Sequence, residues 1–175
     1  MSIIDSKNSS PEAAIQIANL MIAAAKTAPK GKGIETLEYL IITETDLQVL
    51  SKKMNEISAR DNISFLSRDA TNILQSELVV IIGNSTEPKN VPNCNNCGFG
   101  CANKPETTPC AVGTVDLGIA IGSAVDTAML HKADNRIMYS AGIAVLELGW
   151  FTKKVKHAYG IPISLTEKSP FFDRK

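Results

Sequence analysis

Outside residues 94–110 the chain has no cysteine at all, and that gap frames the rest of the reading. A secreted domain stapled by disulfides spreads its thiols along its length, so scattered bridges are not what holds this fold. Aromatic residues are scarce: one Trp, three Tyr and five Phe. Charge bias is lacking too, with 18 Lys and Arg against 18 Asp and Glu. Without a basic stripe carrying interleaved aromatics, a nucleic-acid surface has neither its electrostatic footprint nor its stacking platform. His131 and His157 are the only histidines, and neither sits in a two-histidine metal motif or beside a nucleophile. No Ser-His-Asp set, paired carboxylates or P-loop is present, so hydrolase and kinase chemistry lack their parts.

Long apolar runs are missing as well. None approaches the ~20 residues of a bilayer-spanning helix, and Met1–Ser10 is polar rather than signal-like. The expectation is a cytoplasmic protein with no membrane and no nucleic-acid partner. No repeat or low-complexity tract divides the chain. At 175 residues it reads as one domain, 1–175, with a flexible tail over 1–9. A chain of that size can bury roughly 70% of its unfolded surface.

Periodicity supplies the elements. Ser10 is placed to cap a helix with Pro11 and Glu12 in its first turn, a favoured start. Ala14, Ile17, Ala18, Met21 and Ala25 then recur at helical spacing as far as Thr27. Leu37–Thr43 reads as a strand, and Thr45-Asp46-Leu47-Gln48 has the form of a capping box opening a helix to about Arg60. Phe65 to Leu74 suggests a third helix. Leu78–Ile82 is a continuous apolar run, expected of a central strand buried on both faces. After the irregular stretch 84–113, a fourth helix begins at Thr114 or Asp116, and a fifth runs from about Asn135 to Gly149. Lys156–Ser164 reads as a last strand ended at Pro162, and the Phe171-Phe172 tail as a docked segment. Together these predict an α/β (α+β) sandwich, helices around a small central sheet.

All four cysteines lie in the irregular stretch: Cys94, Cys97, Cys101 and Cys110, spaced C-x2-C-x3-C-x8-C. A long loop inside a compact domain needs a ligand to organise it. Deprotonated sulfurs bind soft metals, and four can complete a thiolate shell. Zinc sites usually bring two pairs from well-separated turns. Three close sulfurs plus an outlier fit one iron–sulfur cubane better, although the spacing is not that of bacterial ferredoxins, where proline follows the fourth cysteine. Here Pro109 precedes it. Gly98 and Gly100 permit positive φ, so the backbone can turn N–H groups toward sulfur. Phe99 and Val91 are placed to shield the site, and the following helix points its positive end at it. Zinc remains the alternative metal.

The whole chain resembles a bacterial and archaeal family described as containing a ferredoxin domain. The residues carrying the likeness are Ala25–Glu35, Asn96-Cys97-Gly98-Phe99-Gly100-Cys101, Asn135–Ser140, and Gly160–Ser164 with Lys168–Arg174. More distantly, the order of elements is similar to the nitroreductase scaffold, whose first helix ends in an Ala-Pro-Ser turn before the first strand. Ala28-Pro29 and the Leu37–Thr43 strand match that start. Lys30 stands in place of the serine, Gly33 in place of a flavin-contacting asparagine, and the arginine-rich phosphate motif is missing. The scaffold resemblance implies a homodimer and FMN, with Lys26, Lys30, Lys32 and Arg174 as an anion or flavin-phosphate pocket; a solvated turn is the plainer reading of those lysines. Gly31-x-Gly33 follows a helix and precedes a strand, the reverse of a dinucleotide fingerprint.

The function expected is an iron–sulfur redox protein with one [4Fe-4S] cluster passing single electrons toward a flavin or small substrate. The other possibility is a non-catalytic interaction or sensing module whose loop holds zinc or a purely structural cluster. His131 reads as a helix-end partner of the dipole, and Asp126 and Glu147 as acids whose burial periodicity leaves open.

Overall fold

In the computed structural model, which describes residues 5–172, the apolar run Leu78–Ile82 lies at the centre of the molecule. It belongs to β2 (Leu78–Ser85), buried at every position and flanked on both sides in a four-stranded sheet of order β1-β2-β4-β3. β1 is Leu37–Thr43, β3 the short Asp134–Asn135 and β4 Val155–Ser164, and all neighbours are antiparallel. Successive side chains of a strand point to opposite faces, so a continuous apolar strand needs a cover on each.

Both covers are present. On one face lie α1 (Ser6–Thr27) and α4 (Ala111–Leu130), where Leu78, Val80 and Ile82 meet Ala18, Met21, Leu117, Ala120 and Ala124. On the other lie α2 (Glu44–Asp61), α3 (Ser64–Ile73) and α5 (Tyr139–Leu148), where Val79 and Ile81 meet Leu50, Met54, Leu66 and Val145. Each large apolar side chain so buried contributes about 1.5–3 kcal/mol. The alanines at the α1–α4 contact let the helices approach closely. On the other face, a Cβ on Gly142 would stand 1.9 Å from the Ala158 carbonyl oxygen, so only glycine lets α5 rest on β4.

The predicted α/β sandwich is therefore present, with corrections at element ends. α1 begins at Ser6 rather than after a Ser10 cap, and Pro11 lies inside it. The tail expected over 1–9 is thus helical from Ser6, while 1–4 lie outside the described residues. α2 begins at Glu44, with Thr43 at its N-cap and no side-chain cap bond, so Thr45 lies inside the helix and does not open it as a capping box. β2 runs on to Ser85 and α4 starts at Ala111, which shortens the irregular segment to 86–110. Asp134–Asn135 pairs with β4 instead of opening the fifth helix.

Pro162 does not end β4. Both polar backbone groups of Gly160 bond Met138, on the side away from β2. Pro162, two residues on, faces the same way, and its missing N–H costs the β2 ladder nothing. α4 is also long and apolar enough to cross a membrane by length and composition, a run the expectation of none did not foresee. Its Leu117, Ala120, Ala124 and Ala128 are nevertheless core residues.

Candidate metal centre

The segment 86–110 leaves the end of β2 and returns at the first turn of α4. Its backbone is held by turns: the Gly98 N–H donates to Asn95 O at 2.9 Å, Gly100 N–H to Asn95 Oδ1 at 2.9 Å, and Thr108 N–H to Pro105 O at 3.0 Å. Gly98 and Gly100 adopt φ of 82° and 68°, the left-handed conformations expected of them. Cys94, Cys97 and Cys101 are half-buried along this segment, all as free thiols. Of the two residues expected to shield the site, Phe99 is exposed and Val91 half-buried.

Cys110 differs from the other three. It is buried and occupies the N-cap position of α4. Burial pushes its thiol up, but the N–H groups of Lys89, Gly113 and Val112 and the Lys104 ammonium outweigh that and hold it below the ordinary thiol range. None of these N–H groups makes an ordinary side-chain cap bond to it. Val112 and Gly113 belong to the first turn of α4, whose positive end favours an anion.

Beneath Cys110 lies the most buried charge of the described residues. Lys89 is fully buried, with Nζ 2.8 Å from Asp116 Oδ2 and also donating to Ile34 O. Asp116 in turn accepts the Gly31 N–H on both oxygens, at 2.9 and 3.1 Å. A Cβ on Gly31 would clash with Val112 at 2.6 Å, which keeps the turn Gly31–Gly33 against α4. Beside this pair, buried Asn84 accepts from Thr36 Oγ1 at 2.9 Å, while its Nδ2 has no partner. That amide lies 2.8 Å from where a Cβ on Gly113 would stand. Sequence reasoning missed Lys89, Asp116 and Asn84. The signal for Asp116 was its place on the Leu117, Ala120, Ala124 face of an apolar helix.

The four thiols thus lie on one segment, but among the described residues no three His, Cys, Asp or Glu side chains gather where they could share an ion. As a donor set they suit a thiolate-bound metal: four soft ligands, glycines that let backbone N–H groups turn, and one sulfur at the positive end of a helix.

The lysines expected to hold a phosphate have other partners. Lys30 Nζ closes the end of α1, donating to Ala25 O and Ala28 O at 2.7 Å each and to Lys26 O at 3.1 Å. Lys32 Nζ reaches Asn90 O at 3.1 Å, and Lys26 lies over the Tyr39 ring. Arg174 lies outside the described residues. Asp126 and Glu147 are exposed, the latter paired with Arg60, and His131 forms the C-cap of α4. His157 faces Tyr159 Oη at 3.3 Å, and burial lowers its pKa. It lines a groove of about 300 Å³ with Thr114, Leu117, Ile121, Ile137 and Tyr159.

Comparison with known proteins places these features. Residues 106–174 match the family described as "Uncharacterized protein containing a ferredoxin domain (DUF2148)". Of the four cysteines, that match takes in Cys110. A protein of Archaeoglobus fulgidus is 34% identical over 171 residues, 91% of each chain. Among solved structures, a Bacteroides fragilis nitroreductase with bound FMN superposes at TM-score 0.61 and 14% identity, covering 99% of this chain and 84% of that one. The Bacillus megaterium protein NfrA2 superposes at TM-score 0.58 and 14% identity over 91% of this chain. The present chain spans 60% of NfrA2's length. At such identities the likeness is one of fold: the scaffold is that of nitroreductases.

Proposed function

Since the chain belongs to the family of proteins containing a ferredoxin domain, we propose that it is an iron–sulfur redox protein whose ligands are Cys94, Cys97, Cys101 and Cys110. The observation that carries the reading is the concentration of every thiol on one segment that ends at the buried N-cap of α4, Cys110. A [4Fe-4S] cluster bound there would accept and release one electron at a time. The chain's own contribution is to tune that site. N–H groups of Lys89, Val112 and Gly113 and the positive end of α4 favour an anion at Cys110, the helix end by ~0.3–1 kcal/mol. The other three thiols ride on turns that a ligand can rearrange without disturbing the sandwich.

The partner of the electron is a flavin or a planar substrate. The groove lined by Leu117, Ile121, His157 and Tyr159 supports this, since Thr114 on its rim bonds the Cys110 carbonyl oxygen at 2.9 Å through its N–H. A homodimer is the proposed assembly, supported by the apolar outer face of α4, where Val115 and Ile119 are exposed.

The test is anaerobic purification followed by metal analysis and an absorption spectrum. The expected result is a brown protein with about four iron and four sulfide per chain, bleaching on reduction. Colourless protein carrying zinc and unfolding with chelator would replace this reading with a structural module. Flavin released on denaturation would establish the second cofactor.

A further inference from the structure

Lys89 and Asp116 are not among the proposed ligands, yet their ion pair joins the start of the cysteine segment to the helix that Cys110 caps. Lys89 stands near the start of the cysteine segment, its side chain bound to Asp116 and to the Ile34 carbonyl, and Asp116 belongs to the helix whose N-cap is Cys110. Asp116 lies on α4 and also holds the Gly31 N–H. One carboxylate thus ties three separate pieces of chain together: the turn after α1, the start of the irregular segment and the second turn of α4. Burying a lysine completely is expensive unless its charge is matched and its remaining donors are used. A solvated surface pair would fix nothing here. A pair this deep holds its backbone in one place because breaking it leaves an uncompensated charge in the core.

We propose that the Lys89–Asp116 pair is the positioning element of the cysteine site, fixing the N-terminal end of α4, and with it Cys110, against the start of the segment, so that this sulfur is the anchored ligand to which the other three are added. The inference rests on the proposed role of Cys110 as a ligand, but it also has a consequence in metal-free protein. Cys110 should be the protected thiol, and its protection should depend on residues that are not its sequence neighbours.

The experiment uses the full chain with Lys89→Met and Asp116→Leu combined, which removes both charges together and keeps an apolar filling of similar size. Asp116→Asn is the second variant, with circular dichroism confirming the fold of each. Alkylation of each cysteine by iodoacetamide at one fixed pH is followed by peptide mass spectrometry on metal-free protein. Wild type should label slowest at Cys110. In the folded double variant Cys110 should label about tenfold faster, with Cys94, Cys97 and Cys101 unchanged, as for a local opening. In the reconstituted double variant, where the two charges removed cancel, the reduction potential should fall, because a Cys110 no longer held at the positive end of α4 would lose polar stabilisation of the reduced cluster.

Unchanged Cys110 labelling and potential in a folded variant would overturn the proposal. So would equal acceleration at all four thiols, the mark of a segment merely loosened. If wild type takes up no iron at all, the redox reading falls, while the labelling comparison still decides whether the pair positions Cys110.

Discussion

The sandwich and the 86–110 segment are held by opposite means. Around β2 the chain buries a residue at every step, and two apolar layers close on the sheet. Along 86–110 there is no helix or strand, three of the four thiols are half-exposed, and order comes from turns and one buried ion pair. Area burial can fold the first without help. The second has specific contacts in place of a core, so its ligand and its anchor carry more of its structure. The two regions should answer differently to the same kinds of change.

The largest difference is expected from truncation. Ile81→Ala removes a fully buried side chain from the central strand and should cost about 2–5 kcal/mol in urea unfolding. Phe99→Ala, equally drastic in chemistry but exposed on the cysteine segment, should stay within about 0.5 kcal/mol. Equal losses would mean that the segment is part of the cooperative core. A smaller effect is expected at Ser140, whose Oγ donates to buried Asp69 Oδ2 at 2.7 Å between α5 and α3. Ser140→Ala leaves that carboxylate with Arg68 alone and should cost about 1–3 kcal/mol. An unchanged midpoint would show that the Arg68 contact is sufficient.

The cysteines should invert the pattern. Cys94→Ser, Cys97→Ser or Cys101→Ser should abolish iron uptake while leaving the apoprotein's melting temperature where it was, because these side chains pack on nothing in either apolar layer. A large fall in apoprotein stability would tie the thiols to the fold instead of to a ligand.

The same contrast explains what could be read from the residues alone. Strand β1 is legible to its exact ends because Leu37–Thr43 is a branched, aromatic run between breakers. The centre of the sheet is legible because nothing but burial on two faces accommodates Leu78–Ile82. Helix starts are not. The N-caps of α2 and α4 are Thr43 and Cys110, neither making a side-chain cap bond, so the capping rules pointed a residue or more too late in both. The thiols announce themselves by spacing. The Lys89–Asp116 pair does not, because its members stand 27 positions apart in sequence and meet only when the irregular segment returns to α4. A lysine in a polar loop carries no local sign that it will be buried. Lys30 shows the reverse case: a basic cluster near a glycine turn leaves an anion pocket and a solvated turn both open, and the structure has its ammonium donating to the carbonyls that end α1.

The smallest effect is one of pH, and it belongs to the sandwich side alone. Burial lowers the pKa of His157 on β4, so the folded protein holds it neutral where the unfolded chain would already protonate it. Above about pH 6.5 both states are neutral and His157 contributes no slope. As pH falls below that value the unfolded state takes up the proton first, so stability is lost progressively until the folded-state pKa is reached. Carboxylates also titrate as acid is added, so the informative quantity is a difference. His157→Gln keeps a polar group near Tyr159 and removes the titration. Its melting temperature should fall less than wild type's between about pH 7.5 and about pH 5.5. A parallel fall of the two would mean that the groove around His157 and Tyr159 is wet enough to accept the imidazolium, and would remove the case for an apolar ligand seated there.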